Sequence, residues 1–199
     1  MGRKSLKEVR QKETVEAFYQ VAKKEGLENA SLAKVAKEMG VNTSLVLHYF
    51  GSKNELIYGL IDFIMKRYKS LYSIKDDVNT GDSHLEQVLN NLFSREWNEV
   101  VEDGVFYGCF TLAFKDEKIK AAFKELHENL RSLLVQAIED AKKNGEVDVE
   151  DSAEAADLIY ILVEGAYYYL SLYEQNEAYY KKQEKYKQAA WNILKMNKQ

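Results

Sequence analysis

Residues 31–55 read SLAKVAKEMGVNTSLVLHYFGSKNE, and this stretch decides the fold. Ser31 can cap a helix by accepting a hydrogen bond from the backbone two or three residues on. An apolar stripe at helical spacing follows it, made by Leu32, Val35, Ala36 and Met39. Gly40 can take the left-handed conformation that ends a helix and turns the chain sharply. The pattern predicts a helix over 31–39 followed by a tight turn.

A second short helix is predicted over 43–49, with Asn42 or Thr43 as its cap. We expect three side chains to anchor this helix to the core: Leu45, Val46 and Phe50. Four others are expected to face outward: Thr43, Ser44, Leu47 and His48. Two short helices joined by a glycine turn, the second with polar outward residues, describe a helix-turn-helix.

The sequence SKNE at 52–55 has the form of a capping box at the start of a long helix, about 53–72. Ser52 is expected to cap the third N–H group, and Glu55 to reach back toward the chain before the helix. The free N–H groups of that helix end, together with Lys53, would bind a phosphate well.

Helical periodicity continues through the rest of the 199 residues, which contain no proline. The sequence predicts an all-α protein of about nine helices. We expect an N-terminal three-helix helix-turn-helix domain over 1–53 and a C-terminal helical domain over 54–199. The predicted helices beyond residue 53 cover about 53–72, 83–101, a short aromatic segment at 105–114, 116–143, 151–175 and 178–196.

The net charge is −4, but the charges are unevenly distributed. Residues 1–53 hold ten Lys and Arg against six Asp and Glu, whereas residues 54–199 hold 18 against 26. A basic head on an acidic body is typical of a protein in which only the head contacts DNA. A chance distribution of charges would give the same counts. The charges alone therefore do not decide between a DNA-binding head and chance.

Residue patterns typical of enzymes and metal sites are missing. The three histidines, at 48, 84 and 127, lack metal-ligand spacing, and no phosphate-binding glycine loop or Ser-His-Asp arrangement occurs. Cys109 lies in an apolar run, so we expect a buried thiol rather than a nucleophile. No catalytic residue, metal or cofactor is therefore predicted. One cysteine and no apolar signal core indicate a cytoplasmic protein without a membrane span.

Residues 8–60 resemble the DNA-binding signature of the TetR (tetracycline repressor) family, above all in the run HYFGSK at 48–53. The resemblance implies phosphate contacts from Ser31, Tyr49 and Lys53. It implies that four residues face the major groove: Asn42, Thr43, Ser44 and His48. Leu47 departs from the family, which often has a phosphate-binding Tyr there. Leu47 can instead touch a thymine methyl, or Tyr49 can make the lost contact.

The rest of the chain matches the family in layout only. The family resemblance implies an effector pocket enclosed by helices four to eight, a homodimer through helices eight and nine, and a near-palindromic DNA operator. The candidate pocket lining is Trp97, Phe106, Tyr107, Phe110, Phe123 and Tyr160. Each of these aromatic residues could equally fill the core. Their number favours an apolar or aromatic effector, and the resemblance favours a repressor.

Two other functional classes remain open on the sequence. An enzyme would require a site that the residue patterns do not show. A helical protein–protein interaction module could use the same helix-turn-helix fold without binding DNA selectively, and the acidic surplus of residues 54–199 is compatible with it.

Overall fold

The structure is a computed structural model that describes residues 3–72, 83–94 and 101–195. Within these ranges the chain forms nine helices and no strand, so the all-α prediction is confirmed. No helix in the described ranges is both long and apolar enough to cross a membrane. The helices are α1 (Arg3–Glu25), α2 (Leu32–Met39), α3 (Thr43–Tyr49), α4 (Lys53–Tyr72), α5 (His84–Phe93), α6 (Asp103–Leu112), α7 (Glu117–Lys143), α8 (Ser152–Leu170) and α9 (Glu177–Lys195).

Helix α5 ends well before the residue predicted from the sequence, at Phe93 rather than about 101. Ser94 is extended, with φ −74° and ψ 160°, and its N–H donates to the carbonyl of Asn91 over 3.0 Å, which closes the last turn. The helical prediction over 83–101 is therefore wrong at its C-terminal end. Its residues 95–100 lie outside the described ranges.

Helix α8 is also shorter than predicted and ends at Leu170 instead of about 175. The Ser171 hydroxyl donates to the carbonyl of Tyr168 over 2.7 Å. Side-chain hydrogen bonds of this local kind compete with continued helix. The N–H of Tyr173 then bonds the carbonyl of Leu170 at 3.0 Å, a spacing of three residues that belongs to a turn.

Residue contacts group the helices into two compact units. One unit contains α1 to α4, α6 and the start of α7 through Leu126; the other contains α5, α7 from His127, α8 and α9. In the first unit the Tyr19 hydroxyl accepts a hydrogen bond of 3.0 Å from the N–H of Glu102. The Glu102 carboxylate in turn caps α6 by accepting from the N–H of Val105 at 3.0 Å. A single tyrosine on α1 thus fixes the start of α6.

The α2–α3 turn depends on Gly40, which has φ +66° and ψ 31°. The N–H of Gly40 bonds the carbonyl of Lys37 at 3.2 Å, and the N–H of Val41 bonds that of Ala36 at 2.9 Å. This is a Schellman motif, which satisfies carbonyls that a helix end leaves unpaired. The turn lets α2 and α3 pack together through buried side chains: Val35, Ala36 and Val46.

A second bond joins α4 to the start of α7. The Tyr58 hydroxyl donates to the Asp116 carboxylate over 2.6 Å. Asp116 also caps α7 by accepting from the N–H groups of Lys118, at 2.9 Å, and Ile119, at 3.1 Å. The bond to Tyr58 is the main reason that the pKa of Asp116 is lowered, and it also raises the pKa of Tyr58. The hydrogen bond from Tyr58 therefore holds α4 against the Asp116 carboxylate that caps α7.

Replacing Gly40 tests the backbone constraint without a steric complication, because a Cβ added there would have no atom within 4 Å. We expect Gly40→Ala to lower the free energy of unfolding by about 1–2 kcal/mol, the cost of a left-handed L-residue. Chemical denaturation at fixed protein concentration measures the change. Gly40→Asn is the control and should lose less, since Asn tolerates this conformation. Equal stability of the Ala variant and the parent would contradict the role given to Gly40.

Candidate nucleic-acid interface

The outward surface of α2 begins at Ser31, which is the N-cap of the helix as predicted. Its Oγ accepts a hydrogen bond from the N–H of Lys34 at 3.4 Å. The side chain is half-buried, and because the hydroxyl acts as an acceptor in this bond, its proton remains available to an acceptor outside the protein. Ser31 thus has the geometry that a phosphate contact needs at a helix start.

The exposed surface of α3 carries the polar residues expected there. Ser44 and His48 are exposed, and Thr43 is half-buried. Asn42 stands at the N-cap position but makes no capping hydrogen bond through its side chain, which is exposed. Its amide therefore remains free to bind another molecule. Because Val46 is 1% exposed, the opposite face of α3 is fixed to the core.

Leu45 corrects one expectation from the sequence, that it anchors α3 to the core. It is 37% exposed, whereas Val46 and Phe50 are 1% and 8% exposed. Successive helical residues are about 100° apart, so a residue next to Val46 points to the flank of the helix rather than inward. Leu47, on the other flank, is 44% exposed, as predicted. Counting helical angles from Val46 would have placed Leu45 correctly.

Tyr49 lies at the end of α3 and is half-buried. Its ring meets that of His48 edge to face, with 5.2 Å between centroids. The Tyr49 carbonyl accepts a hydrogen bond of 3.3 Å from Nε2 of Gln11 on α1. Gln11 was not singled out in the sequence, because nothing local signals a contact across 38 residues. It holds the end of α3 against α1.

The start of α4 matches the predicted capping box with one difference. Oγ of Ser52 accepts from the N–H of Glu55 at 3.2 Å, while the Glu55 carboxylate accepts from the N–H of Gly51 at 2.8 Å. The carboxylate thus reaches one residue further back than the motif describes. Nζ of Lys53 donates to the carbonyl of Glu28 at 3.0 Å. An ammonium group has three donors, so two remain for a phosphate.

Several basic side chains of the head are already paired with carboxylates. Arg10 lies 2.8 Å from Glu13, and Lys24 lies 2.8 Å from Glu38. Exposed pairs of this kind are weak and exchange readily with other anions. Arg10 and Lys24 could therefore exchange these carboxylates for the phosphates of a nucleic acid.

Four of the predicted pocket aromatics come together in the first unit. Phe106 and Phe110 both meet Phe123 edge to face, with centroids 5.5 and 5.3 Å away. Tyr107 meets Phe106 at 5.5 Å. Phe123 is 2% exposed, and the other three are half-buried. The group forms one apolar cluster on α6 and α7.

The two remaining pocket candidates are elsewhere. Trp97 lies outside the described residues. Tyr160 belongs to the second unit, where its hydroxyl donates to the Glu164 carboxylate at 3.0 Å and contacts Nδ1 of His127. Tyr160 therefore belongs to a polar group of three side chains on α7 and α8, with His127 and Glu164 as its two partners.

Cys109 is fully buried on α6, as expected. Burial raises the pKa of its thiol to about 12, which leaves essentially no thiolate near neutral pH. Among the residues that the structure describes, no three His, Cys, Asp or Glu side chains are grouped so as to hold a metal ion.

Comparison with protein families matches both parts of the chain. The family of bacterial regulatory proteins called tetR matches residues 15–58, and the tetracyclin repressor-like C-terminal domain matches residues 80–196. The second match alone covers more than half of the chain.

Individual relatives agree with the family match. The HTH-type transcriptional regulator BetI of Vibrio parahaemolyticus is 30% identical over 88 residues, 44% of this chain and 44% of BetI. The HTH-type transcriptional regulator PksA of Bacillus subtilis is 26% identical over 166 residues, 79% of this chain and 77% of PksA. The chain thus matches less than half the length of BetI.

The fold also matches a solved structure, a TetR transcription regulator from Haloarcula marismortui. The TM-score is 0.74 at 20% identity, and the match covers 94% of this chain and 97% of that chain. At this identity the likeness shows the shared fold alone. Together with the two family matches, it leads to one conclusion: the chain belongs to the tetR family of bacterial regulatory proteins.

Proposed function

We propose that the protein is a transcriptional repressor that binds a near-palindromic DNA operator as a homodimer. The observation that carries this proposal is the orientation of α3. Val46 faces the core, and Ser44 and His48 face outward beside the free amide of Asn42. A short helix with buried anchors and exposed hydrogen-bonding groups is suited to the major groove.

In this proposal the polar residues of the DNA-facing surface have one of two roles. Ser31, Tyr49 and Lys53 bind phosphates and set the position of α3 on the duplex. Four residues contact base edges: Asn42, Thr43, Ser44 and His48. The helix-turn-helix is encoded within 1–53, and the helices beyond it serve effector binding and dimerisation.

The exposed face of α8 supports a homodimer. An apolar strip runs along it at helical spacing, made by Leu158, Ile161, Gly165 and Tyr168, and Leu172 extends it in the turn that follows the helix. Ile161 is 69% exposed and Leu172 71%, and a continuous exposed apolar strip of this kind usually marks a contact with another molecule. The spacing is that of a seam between packed helices.

Gly165, at the centre of this strip, indicates what covers it. A Cβ at Gly165 would have no atom within 4 Å, so nothing in the same chain requires a glycine. Glycine inside a helix costs about 1 kcal/mol relative to alanine. A second copy of α8 crossing close to the backbone at Gly165 would account for it. We therefore propose that two α8 helices pack across the twofold axis, with α9 beside them.

The aromatic cluster on α6 and α7 supports a small apolar or aromatic effector. Phe106, Tyr107 and Phe110 are half-buried and so can contact a ligand without leaving the cluster. An effector acts only if it binds one conformation more tightly than the other. The Tyr58–Asp116 bond ties α4 to the start of α7, and α4 directly follows the helix-turn-helix. Movement of α7 would therefore shift the position of α3.

Lys53→Ala tests the proposed phosphate contact. After selection of bound sequences from random duplex DNA, we expect this variant to bind all sequences more weakly. The slope of log affinity against log salt should flatten by about 1 per protomer, because one phosphate contact is lost. Titration of a labelled duplex at several salt concentrations measures both effects.

Lys143→Ala is the matched control, since it removes the same charge from an exposed lysine of the second unit. Its salt slope should equal that of the parent. An unchanged slope for Lys53→Ala would refute the phosphate contact. Failure of the parent to enrich any sequence would favour the protein–protein interaction module instead.

Ile161→Glu tests the dimer. Because a carboxylate would be buried without a partner in each copy, we expect the dimer dissociation constant to rise roughly 100-fold or more. Analytical ultracentrifugation over a concentration series measures this constant. Leu133→Glu is the control, because Leu133 is also an exposed leucine, 45% exposed, but belongs to a different helix, α7. A parent that is monomeric at all concentrations, or equal effects of both variants, would overturn the assignment.

A further inference from the structure

The surface that α3 offers to a partner is partly apolar. Leu45 and Leu47 are 37% and 44% exposed, and they lie on either side of the buried Val46. At 100° per residue, Ser44 and His48 lie opposite Val46, between the two leucines. The outward surface is thus a polar ridge with one leucine on each flank. A single exposed leucine is ordinary, but two of them bordering the outward ridge give this surface an apolar contact on each side.

The helix also lacks the side chains that read bases by paired hydrogen bonds. Its seven residues read TSLVLHY, without Arg, Lys, Asn, Gln, Asp or Glu. Guanine is usually read by Arg or Lys, and adenine by Asn or Gln. Only Asn42, directly before α3, has such a group, and its amide makes no capping bond. The polar part of the surface can therefore specify few base pairs by itself.

One apolar group is present on base edges in the major groove, the C5-methyl of thymine. A leucine placed over the major-groove edge of guanine or adenine would remove water from a hydrogen-bonding group and offer nothing in return. Over a thymine methyl, the same leucine removes apolar surface of both molecules from water. The identity of the base under each leucine is therefore decided by desolvation.

We propose that Leu45 and Leu47 are specificity-determining residues that read thymine methyl groups, so that each operator half-site has A·T base pairs beneath α3. Asn42 complements them by reading adenine through its amide. This inference rests on the proposed function, because it names what the DNA-binding surface recognises.

The test replaces single thymines of the selected operator by deoxyuridine, which lacks only the methyl group. The duplex keeps all its hydrogen-bonding groups, so a change in affinity measures the contribution of the methyl group to binding. We expect the affinity to fall about fourfold for each methyl under a leucine, the value of burying one methylene-sized group. Thymines outside the half-sites serve as controls and should show no change.

The variants Leu45→Ala and Leu47→Ala assign each methyl to its leucine. Both side chains are exposed, so the variants should retain the fold, which circular dichroism checks. Each variant should bind more weakly and lose its sensitivity to deoxyuridine at one position only. Normal sensitivity to deoxyuridine in both variants would mean that the methyl acts through DNA shape, and would overturn the inference.

The outcomes separate this inference from the proposed function. If no duplex is bound selectively, the proposed function fails, and the leucines then belong to a protein contact. If a duplex is bound selectively but deoxyuridine leaves the affinity unchanged at every position, the proposed function is retained and the proposal that the leucines read methyl groups is wrong. Enrichment of G·C pairs throughout the half-site would also contradict the reading of thymine methyl groups, without affecting the proposed function.

Discussion

The reversal of the chain at Gly40 is the constraint on which the DNA-facing surface depends. With φ +66°, Gly40 ends α2 and sends α3 across it, so that Val35, Ala36 and Val46 share one small core. Because α3 has only seven residues, burial of Val46 largely decides which side chains face outward. Phe50 and the bond from Gln11 to Tyr49 hold the end of the helix. The orientation of the base-reading residues therefore follows from one left-handed residue and a few buried contacts of a short helix.

Much of the helix-turn-helix could be predicted from the sequence because its signals are local. Ser31, Gly40 and Ser52 each act on backbone groups within a few residues, and the structure confirms all three roles. Leu45 was misplaced for a different reason. Hydrophobicity favoured the core, whereas the helical angle from Val46 places it on the flank. Periodicity is the better guide when a helix is too short to bury two faces.

Other features depend on contacts between distant residues, which local signals do not contain. The bond from Glu102 to Tyr19 spans 83 residues, and that from Tyr58 to Asp116 spans 58. These contacts group α6 and the start of α7 with the head. The ends of α5 and α8 were missed because neither has a proline or glycine stop signal, and a serine ends the helix in both cases. The role proposed for Gly165 could not be predicted from the sequence, because it depends on the exposed strip around this residue in the structure.

The central claim is that two α3 helices read one duplex from a twofold dimer. Half-site spacing tests it most directly, since successive major grooves on one face are roughly 34 Å apart. Affinity should be measured for the selected operator with about five, or about ten, base pairs inserted between its halves. The account predicts that the half-turn insertion, which moves one half to the opposite face, reduces affinity to that of a single half-site. Undiminished binding to that duplex would contradict it.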